Sequence, residues 1–258
     1  MSPESVHVPA APGRELPSAL SLRRNPAHPT AAILVLHGGR ADGLTAPPAL
    51  NLPLVRMRAY TRALVRATGP DRVVVAEVRY RHRGWNGARE DPVRDTLRAL
   101  DELRRAAGPV PVVLVGHSMG GRAALRAAVD PSVRAVIGLA PWCPPGESVT
   151  QLAGKSVVLL HDEADRVTEA RASWDHVRRA RAAGARAAGI VMPEGGHAML
   201  RRSARWHEAA VAAALGFLGS RELPDGLFTG PVPMPWPRPR PDGVGAPRGS
   251  GRRPRDGG

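Results

Sequence analysis

From Ala31 onward the chain alternates between two hydrophobic textures. Short, unbroken apolar runs (AAILVL, RVVVAEV, PVVLVG, VRAVIGLA, KSVVLL, AGIVM) are separated by longer segments in which apolar residues return every three or four positions. An unbroken run offers water no polar face, so each short run predicts a strand buried on both sides. The longer segments predict amphipathic helices. LPLVRMRAYTRALVRATG should stop at Gly69, and DPVRDTLRALDELRRAAG should open on Asp91 as N-cap with Pro92 in the first turn and close on Gly108. Three more helices are expected, over about 120–129, over TEARASWDHVRRARAAG and over RRSARWHEAAVAAALGFLG. Strands and helices in strict alternation predict an α/β fold, a mostly parallel sheet with helices on both faces.

The flanks lack this alternation. Residues 1–30 are rich in Pro and polar side chains, with one or two short strands expected around Ser5–Val8 and Ala19–Leu22. From Ser220 the chain turns into a Pro-, Gly- and Arg-rich stretch without periodicity, which predicts a disordered tail. The expected organisation is an N-terminal segment 1–30, a folded domain 31–219 and a tail 220–258.

Composition narrows the function more than the fold. Hydrophobic residues make up 43% of the chain but aromatics only 3%, so the core must be built mainly from Ala, Val and Leu. The net charge of +14 raises the question of nucleic acid. The arginines are spread over many segments, with no basic run interleaved with aromatics, which favours a generally basic surface over a nucleic-acid site. Lys155 is the only lysine, a bias that fits GC-rich coding rather than a function. With Cys143 as the single cysteine there is neither an internal disulfide nor a cysteine-based metal cluster. The segment MSPESVHVPAAPGREL has no apolar leader region and no stretch approaches a membrane span, so a cytoplasmic protein without a membrane partner is expected. Nothing in the sequence sets the oligomeric state.

Chemistry enters at VVLVGHSMGGRAAL, where a predicted strand runs into Gly116-His117-Ser118-Met119-Gly120 and a predicted helix follows at once. This G-x-S-x-G pattern places one serine on a strained strand-to-helix corner, with its hydroxyl lifted above the sheet edge. The glycines leave room where strand and helix come too close for a Cβ. A serine hydroxyl needs a base, and the base needs an acid to orient it. Both should follow in chain order, each in a loop after a later strand. The loop HDEADRV offers Asp162, Glu163 and Asp165, and the loop EGGHAM offers His197. Asp165 is preferred as the acid because it lies further into its loop, with Asp162 as the alternative. The amide of Met119 can donate to an oxyanion, and the loop LHGGRADG should supply a second donor at Gly39, or next at Arg40, with His37 structural.

On these stations (HGG, GHSMG, the DEAD loop and GGH) the stretch Ala31–Gly219 resembles an α/β-hydrolase, in particular the small bacterial dienelactone-hydrolase-like and serine-aminopeptidase-like members. The resemblance places nucleophile, acid and base on Ser118, Asp165 and His197. Two departures stand out. Many relatives have a small residue where this chain has Asp162, and dienelactone hydrolases proper carry Cys at the elbow, whereas Cys143 lies elsewhere, in APWCPPG.

Between the strands ending near Ala140 and beginning near Ser156 there are too few residues for a cap domain, so a lidless, open site is expected. Trp85, Asn86, Trp142 and Met199 are candidates to wall it, with Arg40 and His117 as further candidates for substrate contact. The expected activity is cleavage of a small carboxylic ester or thioester through an acyl-enzyme on Ser118, with no metal or organic cofactor. Two other readings stay open: an aminopeptidase-like amide hydrolase, and a non-catalytic binding protein on a hydrolase fold.

Overall fold

The computed structural model describes residues 16–236, apart from Ala49 and Pro70. Its centre is one eight-stranded sheet in the order β1-β3-β2-β4-β5-β6-β7-β8. The six predicted strands are β2 (Ala31–Leu36), β3 (Val73–Val78), β4 (Val112–His117), β5 (Val133–Leu139), β6 (Ser156–His161) and β7 (Arg186–Val191), paired parallel throughout. Each lies between two helical layers, which is why its sequence shows no polar alternation. In β2, Ala32, Leu34 and Leu36 face one core, while Ala31, Ile33 and Val35 face the other.

Helices α2 (Asp91–Ala107), α3 (Met119–Ala127) and α4 (Ala170–Ala182) cover the first face, and α1 (Leu52–Ala67) and α5 (Ser203–Phe217) cover the second. Helix α2 shows how the pattern becomes packing: Val93, Ala99, Leu100 and Leu103 form its buried stripe. Each fully buried leucine of this kind contributes roughly 1.5–3 kcal/mol. Among the described residues no helix is long and apolar enough to cross a membrane.

Two helix ends differ from the sequence expectation. Helix α1 ends in Thr68 rather than Gly69, because the Thr68 hydroxyl and amide both bond back to the Leu64 carbonyl. Asp91 is not the N-cap of α2: Glu90 holds that position with φ +46°, and the Asp91 carboxylate instead takes Asn86 and Arg89. Gly108 closes α2 at φ +76°, as expected.

The sheet extends beyond the alternating region at both edges. The strand expected near Ala19–Leu22 is β1 (Leu20–Arg24), antiparallel to β3. The strand expected at Ser5–Val8 lies outside the described residues. Past Gly219 the chain continues over the second core, burying Leu227, and β8 (Met234–Pro235) pairs with β7. The stretch 220–236 therefore folds onto the sheet, where lack of periodicity had predicted a tail from Ser220; residues 237–258 of that tail lie outside the described residues.

Candidate active site

The site is built at the end of the sheet where parallel strands β4, β6 and β7 finish. Ser118 sits between β4 and α3 with φ +54° and ψ −120°. A β-carbon on Gly116 would land on the Gly120 carbonyl, and one on Gly120 would lie 2.5 Å from the His37 carbonyl oxygen. The first turn of α3 thus rests directly on β2 and β4, and only glycine permits that approach. Backbone bonds lock the corner: the Ser118 amide donates to the Leu139 carbonyl (3.1 Å), and its own carbonyl accepts from Arg122 and Trp142 (3.1 Å each).

The loops after β6 and β7 are held differently, by side chains. Asp165 lies in the loop after β6 and His197 in the loop after β7. The Ser118 hydroxyl is 3.0 Å from His197 Nε2, and His197 Nδ1 is 2.9 Å from Asp165 Oδ2. The sequence-predicted trio is therefore brought together, with Asp165 rather than Asp162 beside the imidazole. The Asp165 carboxylate is buried and accepts from the Val167 and Thr168 amides and the Thr168 hydroxyl, besides two histidines. Burial alone would raise its pKa, but these donors outweigh that and hold it far below the usual carboxylate range.

Asp162 has another role. One oxygen accepts from the amides of Gly195 (2.7 Å) and Gly196 (2.6 Å), and the other from Ala164 (2.9 Å). It clamps the loop carrying His197 to the loop carrying Asp165. His117 grips the same loop from β4, its Nε2 donating to the His197 carbonyl at 2.9 Å. Complete burial pushes its pKa down to about 3, so the ring is neutral.

Several candidate lining residues are held in packing or bracing contacts. Trp85 is buried, edge-on to half-buried Trp142 at 6.0 Å, and the Arg122 guanidinium lies between both rings while pairing with Glu147. Asn86 spends its amide bracing Gly43, Gly84 and Asp91. Met199 is buried, with its sulfur accepting from the Tyr60 hydroxyl. His117, also buried, faces the His197 backbone rather than open space. Arg40 keeps an exposed side chain. Its amide, however, donates to the Arg83 carbonyl (3.0 Å) and is not free for an oxyanion. Gly39 packs so tightly that a β-carbon would lie 2.5 Å from the Met119 sulfur, which sets these two residues side by side. His37 is buried against Tyr80 and bonds the Gly38 carbonyl, as a structural residue should. Burial pushes the Cys143 thiol up to about 12.

Sequence reasoning passed over Thr168, whose hydroxyl lies 3.1 Å from His197 Nδ1, and His161, which reaches Asp165 from the end of β6. The spacing of four between His161 and Asp165 in HDEAD was the available signal. Among the described residues no group of three or more His, Cys, Asp or Glu is arranged to hold a metal ion. A groove of about 730 Å³ opens at the β7–β8 edge, lined by residues such as Met192, Ala209 and Trp236 and by none of the trio.

Solved structures share this architecture at low sequence identity, which speaks for the fold. Est1E from Butyrivibrio proteoclasticus, solved with ferulic acid bound, is 13% identical with a TM-score of 0.57, over 78% of this chain and 94% of its own. The esterase domain of a Rhodothermus marinus protein is 16% identical with a TM-score of 0.54, over 77% and 91%. A serine hydrolase without a lid from Xanthomonas campestris is 20% identical with a TM-score of 0.50, over 76% and 86%. No curated protein matches in sequence. The family pattern of the alpha/beta hydrolase fold matches residues 52–180, spanning α1 to α4 with the Ser118 corner inside it. With a mostly parallel sheet, no cap between β5 and β6 and a serine on the strand-to-helix corner, the chain belongs to the α/β-hydrolase family.

Proposed function

We propose that this chain is a serine hydrolase that cleaves small carboxylic esters or thioesters through an acyl-enzyme on Ser118. One observation carries the reading: an unbroken file of hydrogen-bonding distances, Ser118 Oγ to His197 Nε2 at 3.0 Å and His197 Nδ1 to Asp165 Oδ2 at 2.9 Å. Asp165, ionised at neutral pH, fixes the proton on His197 Nδ1 and leaves Nε2 free to accept from the serine hydroxyl. Attack on the acyl carbon moves that proton to Nε2, and the imidazolium returns it to the departing alcohol or thiol. The amides of Met119 and Gly39 receive the developing oxyanion. In support, the Arg40 amide is already engaged, and Met119 opens a helix whose first amides have no intrahelical acceptor. A second attack, by water, frees the acid.

The choice of small, exposed acyl groups rests on the short β5–β6 connection, which has no room for a lid. A serine-directed fluorophosphonate, with the adduct mapped by mass spectrometry, tests the reading. The expected result is an adduct on Ser118 in the wild type and none in His197→Ala. No adduct on folded wild-type protein overturns it. A panel of esters and thioesters of rising chain length then separates the two substrate classes.

A further inference from the structure

The Asp165 carboxylate is held between two histidines, and the proposed chemistry uses only one of them. His161, the last residue of β6, is fully buried, and its Nε2 lies 3.2 Å from Asp165 Oδ2, the same oxygen that faces His197. Its other nitrogen, Nδ1, is 2.8 Å from the hydroxyl of Ser173 on α4, and its ring stands edge-on to Trp174 at 6.0 Å.

These contacts fix the proton. An ionised carboxylate can only accept, and the Thr168 carbonyl, also 3.2 Å from His161 Nε2, can only accept. Nε2 must therefore carry a hydrogen, while Nδ1 pairs with the Ser173 hydroxyl. Ser173, His161, Asp165, His197 and Ser118 form a single hydrogen-bonded file from α4 through the core to the corner, with Asp165 accepting from both sides.

We propose that His161 is a positioning residue for the reactive trio, a buried donor that, backed by Ser173, holds Asp165 against His197 and draws off part of its negative charge. This rests on the reading of Ser118, His197 and Asp165 given above. A carboxylate that shares its charge with His161 stabilises the His197 imidazolium less, so the base releases its proton more readily. The other titratable groups nearby are already committed. His117 is neutral and bonded to the His197 carbonyl, Asp162 is spent on the Gly195 and Gly196 amides, and the Cys143 thiol lies beside Ser173 and is protonated. None of these three replaces the His161 donor at Asp165.

The test follows the titration of the His197 ring by ¹⁵N NMR together with the pH dependence of fluorophosphonate labelling, in full-length wild type, His161→Phe and His161→Gln. Phe fills the space without a donor, while Gln offers an amide N–H. In His161→Phe the His197 midpoint should move up by about half a pH unit or more. Labelling at neutral pH should slow by about tenfold. His161→Gln should recover most of both. An unmoved midpoint in His161→Phe, or identical behaviour of Phe and Gln, would reduce His161 to packing. Ser173→Ala, a milder change, removes the hydroxyl that holds the far side of the His161 ring and should move the midpoint in the same direction by less; no movement there also counts against the proposal. A wild type that titrates as described but takes no label overturns the hydrolase reading, and the NMR midpoints still decide the role of His161.

Discussion

The serine corner and the loops after β6 and β7 deliver three side chains to one place by opposite means. At Ser118 the main chain does the holding: glycines let α3 rest on β2 and β4, and the Ser118 backbone bonds to Leu139 at the end of β5, to Arg122 in α3 and to Trp142 in the following loop. At Asp165 and His197 the side chains do it. Asp162 clamps Gly195 and Gly196, His117 takes the His197 carbonyl, and His161 and Thr168 fasten the carboxylate. A corner made by backbone geometry fails when volume is added. Loops made by hydrogen bonds fail when a donor or acceptor is removed.

The largest effect belongs to the hydroxyl itself. Ser118→Ala should leave the fold and melting temperature unchanged and lower hydrolysis by about 10⁴-fold or more, measured on whichever ester the panel selects. Next comes added volume at the corner. Gly120→Ala places a methyl 2.5–2.6 Å from the carbonyl oxygens of His37 and Leu36, which cannot yield without moving β2. Denaturant unfolding should show a loss of about 3 kcal/mol, in the range of severe backbone or overpacking strain.

For the loops, the clamp is the sharper probe. Asp162→Asn presents a donor where three amides already donate, and leaving one of them unpaired costs about 1–3 kcal/mol. Hydrogen exchange at the Gly195 and Gly196 amides should accelerate, and labelling of Ser118 should slow about tenfold with His197 less well held. Unchanged exchange at these two amides would show that the loop holds its shape without Asp162.

The pH dependence of stability separates the regions again. His117 stays neutral in the folded protein, its pKa pushed down to about 3 by burial, while an unfolded chain protonates it below about 6.5. Its contribution is thus complete above about pH 6.5 and is lost as pH falls toward 3, at up to about 1.4 kcal/mol per pH unit. His117→Gln, which removes the titrating ring and keeps an N–H, should flatten that slope; the same slope in both proteins would mean other groups dominate. The smallest effect is expected at Met199, whose sulfur only packs and accepts from Tyr60. Met199→Leu should cost less than about 1.5 kcal/mol and leave labelling of Ser118 within a factor of two.

Much of this was legible in the order of residues. The six buried strands announced themselves because burial on both faces removes polar alternation, and the corner announced itself because close helix–strand contact demands glycine at fixed offsets. Boundaries were less legible. Asp91 looks like an N-cap, yet Asn86 and Arg89 draw its carboxylate into the preceding loop. The aperiodic stretch after Gly219 gave no strand signal, since a two-residue edge strand and a buried Leu227 need no pattern of their own.

The sequence by itself determined the fold class, the placement of one serine on a strand-to-helix turn, and the chain order of Ser118, Asp165 and His197, each after its own strand. All of these depend on local spacing along the chain. Only the tertiary structure set Asp165 beside His197 and Asp162 on the Gly195 and Gly196 amides, showed the packing and bracing contacts of Trp85, Asn86, His117 and Met199, and put His161 behind the carboxylate. Those outcomes depend on which groups meet across loops from different strands, where hydrogen-bond geometry rather than residue type assigns each role.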